Sequence, residues 1–169
     1  MEYDSKKLLI IVVLLLIWNY TTSKTKEIYF NTTKVEEVKI DQKQVELLAR
    51  LIYSEANGEP YRGKLAVGNV VLNRAERKGV SLYKIIFQKG QFDGIRTSRF
   101  KHKYKDDESY QICLKAATEL LNGLRVIPNT VEFFHNPTTS TDTGWTRKIS
   151  KYKHRQIGNH LFCHNPNLV

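Results

Sequence analysis

Glu55 lies in the run Tyr53-Ser54-Glu55-Ala56-Asn57-Gly58-Glu59-Pro60-Tyr61, a corner where one helical pattern stops and another starts. A carboxyl group at the C-terminal end of a helix faces the negative end of the macrodipole, which opposes ionisation and raises its pKa. Still protonated near neutral pH, such a group can donate to the leaving oxygen as a glycosidic bond lengthens. Tyr53 and Tyr61 flank it and are candidates for a desolvating wall or a sugar platform. Glu59 precedes Pro60 and is expected to support the start of the second helix, as an N-terminal cap or dipole partner, rather than to act in catalysis. No other acid is well placed, and the count fits a mechanism in which one carboxyl group serves as both acid and base. The motif alone equally admits an ordinary helix-end glutamate on the surface.

Further along, Asn136-Pro137-Thr138-Thr139 and Thr143-Gly144-Trp145 combine amide and hydroxyl groups with a flat aromatic ring, which suits sugar recognition and also suits plain turns. The histidines 102, 135, 154, 160 and 164 form no close helical pair and are not interleaved with carboxylates, so no metal or other cofactor is expected. His160 is expected to pack or hydrogen-bond beside a cleft. No phosphate-cradling glycine loop, Ser-His-Asp pattern or spaced Cys-His pair is present.

The elements that must position these residues follow from periodicity. Asp41 with Gln44 has the form of a capping box, and Val45, Leu48, Ala49, Ile52 and Tyr53 recur at helical spacing, so a first helix runs from near Asp41. It must end by Asn57-Gly58, because Pro60 cannot continue it. Pro60 suits the first turn of a second helix reaching about Arg77, in which Ala66, Gly68 and Asn69 imply close packing against a neighbour. Ser81 caps a short helix over Leu82 to Phe87. Residues 88–104 read as a loop, and a third long helix spans about Asp107 to Asn122, ended by Gly123. Two apolar runs, Val131 to Phe134 and Gln156 to Cys163, suggest a small β-element. The expected fold class is α+β, mainly helical, without internal repeats.

Composition bounds the rest. A chain of 169 residues, 41% hydrophobic and 11% aromatic, can build one self-supporting core. The net charge is +10, and residues 41–169 carry +9 of it, so the positive charge belongs to the folded part and favours a polyanionic partner. Nucleic acid, anionic lipid and bacterial wall all fit that description. Lys6 and Lys7 precede the apolar run Leu8 to Trp18 and a polar stretch to Ser23, the plan of an export signal. Eleven apolar residues rise only about 16 Å as a helix, short of the roughly 30 Å hydrocarbon core, so free spanning is disfavoured. No small-x-small cleavage site is evident, and cleavage and retention as a membrane anchor both stay open. The expected organisation is a signal or anchor over 1–23, a linker or weak strand over 24–40 and a catalytic domain over 41–169, outside the cytoplasmic membrane. That placement argues against nucleic acid as partner. Cys113 and Cys163 are the cysteines: one bridge is possible in an oxidising compartment, and Cys113 also sits on the apolar face of the third helix as a small hydrophobe.

The stretch from Ala49-Arg50-Leu51-Ile52-Tyr53-Ser54-Glu55 through Gly63 to Gly68-Asn69-Val70-Val71-Leu72-Asn73-Arg74 resembles the SleB/CwlJ-type cell wall hydrolases, the spore cortex-lytic enzymes. Gln91-Phe92, Asn136-Pro137, Trp145 and Ile157-Gly158-Asn159-His160-Leu161-Phe162 extend the likeness over about residues 45–163. The resemblance implies a lysozyme-like domain that cleaves peptidoglycan glycan strands as a lytic transglycosylase, with Glu55 as catalytic acid. It adds Gln91, Phe92, Asn136, Trp145 and His160, beside Tyr53 and Tyr61, as candidates for substrate contact. The chain departs from the family pattern with Asn57 where Arg is usual, Lys64 where Gln is common, and a basic loop holding Arg96, Arg99, Lys101, Lys103 and Lys105 around Phe100 and Tyr104. Two other classes remain: a zinc amidase cutting the peptide stem, which would need a ligand set the sequence does not supply, and a non-catalytic wall-binding module that keeps the basic face without needing Glu55.

Overall fold

The computed structural model describes residues 5–32, 41–102, 104, 106–140 and 143–169, in two compact units divided between residues 39 and 40. The described residues of the first unit form one helix, α1 (Ser5–Thr32). It overturns the expected weak strand around Glu27 to Asn31 and carries helix past Ser23 into the expected linker. Part of the reason lies in the threonines: Thr21 Oγ1 donates to Ile17 O at 2.9 Å, Thr22 to Trp18 O at 2.8 Å and Thr25 to Thr21 O at 2.8 Å. Hydroxyls that bond back to the preceding turn let these residues stay helical. Val12 to Trp18 are exposed along it. Among the described residues no helix is long and apolar enough to cross a membrane. Residues 33–40 of the expected linker lie outside the described residues.

The second unit is built on α2 (Gln42–Ala56), α3 (Tyr61–Lys78) and, later in the chain, α6 (Glu108–Leu121). Asp41 caps α2 by accepting from the Lys43 N–H, and Asp107 caps α6 by accepting from Tyr110 N–H. Leu48, Leu51 and Ile52 of α2, Val67, Val70 and Val71 of α3 and Leu120 of α6 are fully buried together. Each such side chain contributes about 1.5–3 kcal/mol by leaving water. The small residues of α3 act as expected: a Cβ on Gly68 would come within 2.5 Å of Leu120 and 2.9 Å of Ile52. Between α3 and α6 lie α4 (Leu82–Ile86), capped by Ser81, a 3-10 turn (Gly94–Arg96) and α5 (Ser98–Lys101). The stretch read as plain loop thus holds two short helical turns. Phe100 is buried beneath the Arg50 guanidinium at 5.0 Å, and the half-buried Tyr104 packs 5.4 Å from the Tyr53 ring, so both aromatics of the basic loop pack against the domain.

The β-element is a three-stranded antiparallel sheet of β1 (Val131–His135), β2 (Lys153–Ile157) and β3 (His160–His164), in the order β1-β3-β2. The run Gln156 to Cys163, which reads as one apolar stretch, is a hairpin. Ile157 pairs with His160 across Gly158-Asn159, and Gly158 has φ +59 while Asn159 does not turn positive, the pattern of a two-residue turn with glycine first. A further helix, α7 (Gly144–Ser150), precedes it, begun by a capping box between Thr143 and Thr146. Periodicity misses α7 because it is only seven residues long. Cys113 and Cys163 are both buried and free.

Polar side chains of α3 tie this sheet to the helices. Asn69 Oδ1 accepts from the Val126 N–H at 2.8 Å, and Asn73 Nδ2 donates to Pro128 O and Val131 O at 2.9 and 2.8 Å. Arg74 Nε donates to Glu132 O at 2.6 Å. The buried Glu132 carboxylate takes both Arg77 and Asn165 Nδ2, the latter at 2.8 Å.

Candidate active site

Glu55 sits in the last turn of α2, which ends at Ala56. The corner behind it is tied by Lys64, whose buried Nζ donates to the carbonyls of Ala56, Asn57 and Glu59 at 2.9, 2.6 and 2.7 Å. Those of Ala56 and Asn57 are carbonyls a helix end leaves without intrahelical partners, and a cation suits the negative end of the dipole. Asn57 accepts a hydrogen bond from Ser109. Asn57 and Lys64, two of the three departures from the family pattern, therefore build the corner, and neither lines the cleft.

One Glu55 oxygen, Oε1, accepts from the Gly94 N–H at 2.6 Å. That approach needs glycine, since a Cβ on residue 94 would lie 2.5 Å from Ser54 Oγ and 2.6 Å from Glu55 Oε1. The carboxyl pKa is raised. Burial is the largest cause, the Gly94 N–H pulls the other way, and the negative charge of Asp93 raises it again. The direction agrees with the expectation from the helix end, but its main origin is desolvation, which depends on tertiary packing.

Glu55 opens into a cleft of about 580 Å³. Arg74, Gln91 and Asp93 share its helical side, and Phe133 to Asn136, Thr139, Ser140, Trp145 and His160 form the facing wall. Arg74 is buried between the Phe92 and Phe133 rings, 5.2 and 5.3 Å from their centroids, and donates to Gln91 Oε1 at 3.2 Å. Burial lowers its pKa to about 10, so it stays charged at neutral pH. Trp145, 49% exposed, stands edge to face on Phe133 with centroids 6.0 Å apart. Asn136 does both things open to it: it lines the cleft, and its Oδ1 accepts from Thr138 N–H at 2.9 Å to form a turn.

Of the residues expected to touch substrate, Gln91, Asn136, Trp145 and His160 share the cleft with Glu55, and Tyr53, Tyr61 and Phe92 do not. Two residues apart on a helix is about 200° of rotation, so Tyr53 points away from Glu55. Its hydroxyl donates to Asp107 Oδ2 at 2.8 Å, and burial with that bond pushes its pKa up to about 12. Tyr61 donates to Glu119 Oε2 at 2.8 Å on α6, and Phe92 is a buried floor beneath Arg74 and Phe134. Glu59 is not the cap of α3, whose first turn follows Pro60 without a side-chain bond. Its carboxylate instead accepts from the Asn159 N–H at 2.8 Å and Asn159 Nδ2 at 3.1 Å, holding the hairpin turn, with His160 Nδ1 3.9 Å away. Burial lowers the His160 pKa against the pull of Glu59.

Thr139, named with the Asn136 turn as a candidate for sugar recognition, also lines the cleft, whereas sequence reasoning missed Arg74, Asp93, Phe133, His135 and Ser140. For Arg74 a signal existed, since it is a cation two positions after the apolar run Val70-Val71-Leu72 of α3. A second groove, of about 610 Å³, lies between α2, α3, α4 and α6. Leucines, Val80 and Ala75 dominate it, and its acid, Glu76, pairs with Arg125, so it offers no buried carboxyl group for chemistry. Among the described residues no cluster of three or more His, Cys, Asp or Glu is arranged to hold a metal ion.

A mainly helical domain with a three-stranded sheet and a partly buried glutamate at a helix corner is the class these features define. The chain belongs to the cell wall hydrolase family, whose sequence profile matches residues 58–163. A spore cortex-lytic enzyme of Oceanobacillus iheyensis is 30% identical over 124 residues, covering 72% of this chain and 42% of that protein. The chain thus spans less than half the length of that relative. The cell wall hydrolase CwlJ of Bacillus subtilis is 34% identical over 77 residues, covering 42% of this chain and 54% of its own. The catalytic domain of Bacillus cereus SleB superposes with a TM-score of 0.61 at 27% identity, over 75% of this chain and 93% of that one. The catalytic domain of the germination-specific lytic transglycosylase SleB from Bacillus anthracis gives 0.62 at 26%, over 75% and 98%.

Proposed function

We propose that this chain is an exported enzyme that cuts the glycan strands of peptidoglycan, with Glu55 as its catalytic acid and lytic transglycosylation as its reaction. The observation that carries this reading is Glu55 itself: a carboxyl group held partly out of water, oriented by one backbone N–H, at the floor of a cleft with amide, hydroxyl and indole groups. Family membership and the names of its relatives support the wall as substrate. The basic surface of residues 41–169 suits an anionic polymer, and the Lys6-Lys7 and Leu8 to Trp18 pattern supports export.

In the proposed cycle, protonated Glu55 donates to the oxygen of the bond between a muramic residue and its neighbour as that bond lengthens. The muramic residue's own primary hydroxyl then attacks the anomeric carbon and passes its proton to the Glu55 carboxylate. An anhydro end forms, and Glu55 is protonated again. Gly94 N–H holds the carboxyl group in place in both states. Gln91, Asn136, Trp145 and His160 are proposed to contact the sugar chain. One observation favours hydrolysis as the second reading: Asp93 lines the same cleft and its charge acts on Glu55, so a second carboxylate is present for an inverting pair acting through water.

Mass spectrometry of muropeptides released from purified peptidoglycan by wild type and Glu55→Gln tests the proposal. Anhydromuramic ends from wild type alone are expected. Glu55-dependent reducing muramic ends would transfer the reaction to hydrolysis with Asp93 as base, and released stem peptides, or identical products from both proteins, would overturn the assignment.

A further inference from the structure

Glu59 stands four positions beyond Glu55, on the far side of the corner, and its side chain is only 7% exposed. One residue of the β2–β3 turn takes both of its oxygens: Oε2 accepts from the Asn159 N–H at 2.8 Å and Oε1 from Asn159 Nδ2 at 3.1 Å. Both partners are N–H donors, so the position calls for two acceptors, which a carboxylate supplies and an amide does not. The seat is close. A Cβ on Gly158 would collide with Glu59 Oε2, and one on Gly63 would lie 3.0 Å from Glu59 Cβ. Lys64 Nζ holds the carbonyls of Ala56 and Glu59 together, so the helix end that carries Glu55 and the carboxylate that grips the turn share one support.

The residue after Asn159 is His160, which lines the cleft with Glu55. Its ring stands edge-on to Phe134 and Phe162, with centroids 5.1 and 6.3 Å apart. Nδ1 is buried without a hydrogen-bond partner and lies 3.9 Å from Glu59 Oε1. Burial lowers the pKa of this ring, so at neutral pH one nitrogen carries a proton and the other a lone pair. Glu59 and His135 are the ionisable groups that act on it, and burial lowers the pKa of His135 as well, which leaves the carboxylate as the charge the ring meets. A lone pair on Nδ1 would be repelled by that carboxylate in a place largely out of water, whereas an N–H is attracted to it. The proton therefore belongs on Nδ1. Nε2 is left with the lone pair, as the ring nitrogen that can meet a ligand in the cleft.

We infer that Glu59 is a positioning residue that works through His160: it seats the turn and holds the imidazole proton on Nδ1, so that Nε2 accepts a hydrogen bond from a hydroxyl or amide N–H of the sugar chain. This role rests on the proposed function for the cleft. Glu59 itself does not line the cleft, so its influence on substrate passes through the turn and the ring.

Nitrogen NMR of the whole chain, with His160→Gln to assign the signals, reads the tautomer directly. Wild type is expected to show a protonated Nδ1 and a bare Nε2, and Glu59→Gln should move the proton toward Nε2. A wild-type ring protonated on Nε2 overturns the inference. Kinetics on soluble glycan strands test the route. Glu59→Gln and His160→Ala should each raise KM roughly three- to tenfold, the worth of one hydrogen bond, with kcat within about threefold. The double variant should be no worse than His160→Ala alone, because a residue that acts through His160 then has nothing left to position. Additive losses, or a loss in kcat with KM unchanged, overturn the inference. Thermal unfolding checks each variant, and where Glu59→Gln melts early the wild-type tautomer decides. Strand cleavage that does not depend on Glu55 would remove the proposed function, whereas Glu55-dependent cleavage with a protonated Nε2 would remove the role of Glu59 and keep the enzyme.

Discussion

On the helical side of the cleft, Glu55 rides on a helix whose inner face is fully buried against α3 and α6, so dense packing sets its position. On the opposite side, β1, α7 and the β2–β3 hairpin carry Asn136, Trp145 and His160, and side-chain hydrogen bonds from α3 and from Glu59 tie that wall down. Packed interiors resist displacement, which suits a group that must keep one geometry through proton transfer. A wall anchored by a few polar contacts, with Trp145 half exposed, suits groups that meet a long polymer. The difference teaches that, on the proposed function, chemistry and recognition rest on differently supported parts of one small domain.

That contrast can be broken at four places, in falling order of effect. Glu55→Gln should lower kcat by about a thousandfold, the typical worth of a general acid, while strand affinity stays near wild type. It carries a second readout. Because burial raises the Glu55 pKa in the folded state, ionising it costs stability as pH rises from the ordinary 4.5 through the raised value. Glu55→Gln should therefore melt higher than wild type at neutral pH, and the gap should close as the pH falls below 4.5. Calorimetry across that range that found no narrowing would remove burial as the cause.

Glu132→Ala strikes the anchors. It strips the buried carboxylate from Arg77 and Asn165, and should cost about 3–5 kcal/mol, lowering the melting temperature by roughly 10–20 °C. If the sheet wall depends on these contacts, amide hydrogen exchange should quicken in β1 and β3 before α2. Uniform exchange across both walls would dissolve the distinction between them.

Trp145→Ala should raise KM by roughly five- to tenfold and leave kcat within about twofold, the pattern of a stacking surface lost from the sheet wall. A loss confined to kcat would move Trp145 into the chemistry. Asp93→Asn is expected to act least. It removes a charge that raises the Glu55 pKa, so the alkaline limb of the pH profile should move toward acid with little change in the plateau. Collapse of the plateau would instead identify Asp93 as a water-activating base.

Much of the helical wall was legible in the sequence, because its cues are local. Asp41, Pro60, Ser81, Asp107 and Gly123 mark helix ends within a turn of themselves, and the 3.6-residue period of Val45, Leu48, Ala49 and Ile52 gives the buried face. The small residues of α3 announced a close crossing that Gly68 makes. The sheet wall was less legible: α7 is too short for a period, and Gly158-Asn159 reads as an interruption until its two flanks pair. Tyr53 illustrates the limit on the other side, since its neighbour in sequence is a site residue while its ring belongs to the core.

The sequence by itself determined the helical α+β class and the corner that carries Glu55, and gave only an expectation for the direction of its pKa shift, since caps, periodicity and a helix end act over a few residues. Only the tertiary structure decided why that pKa is raised, which aromatic rings face the cleft, that Gly94 reaches back 39 positions to hold Glu55, and that Glu59 serves a turn 100 positions away. Desolvation and such bonds are properties of what surrounds a group, and the surroundings come from parts of the chain that no local pattern joins.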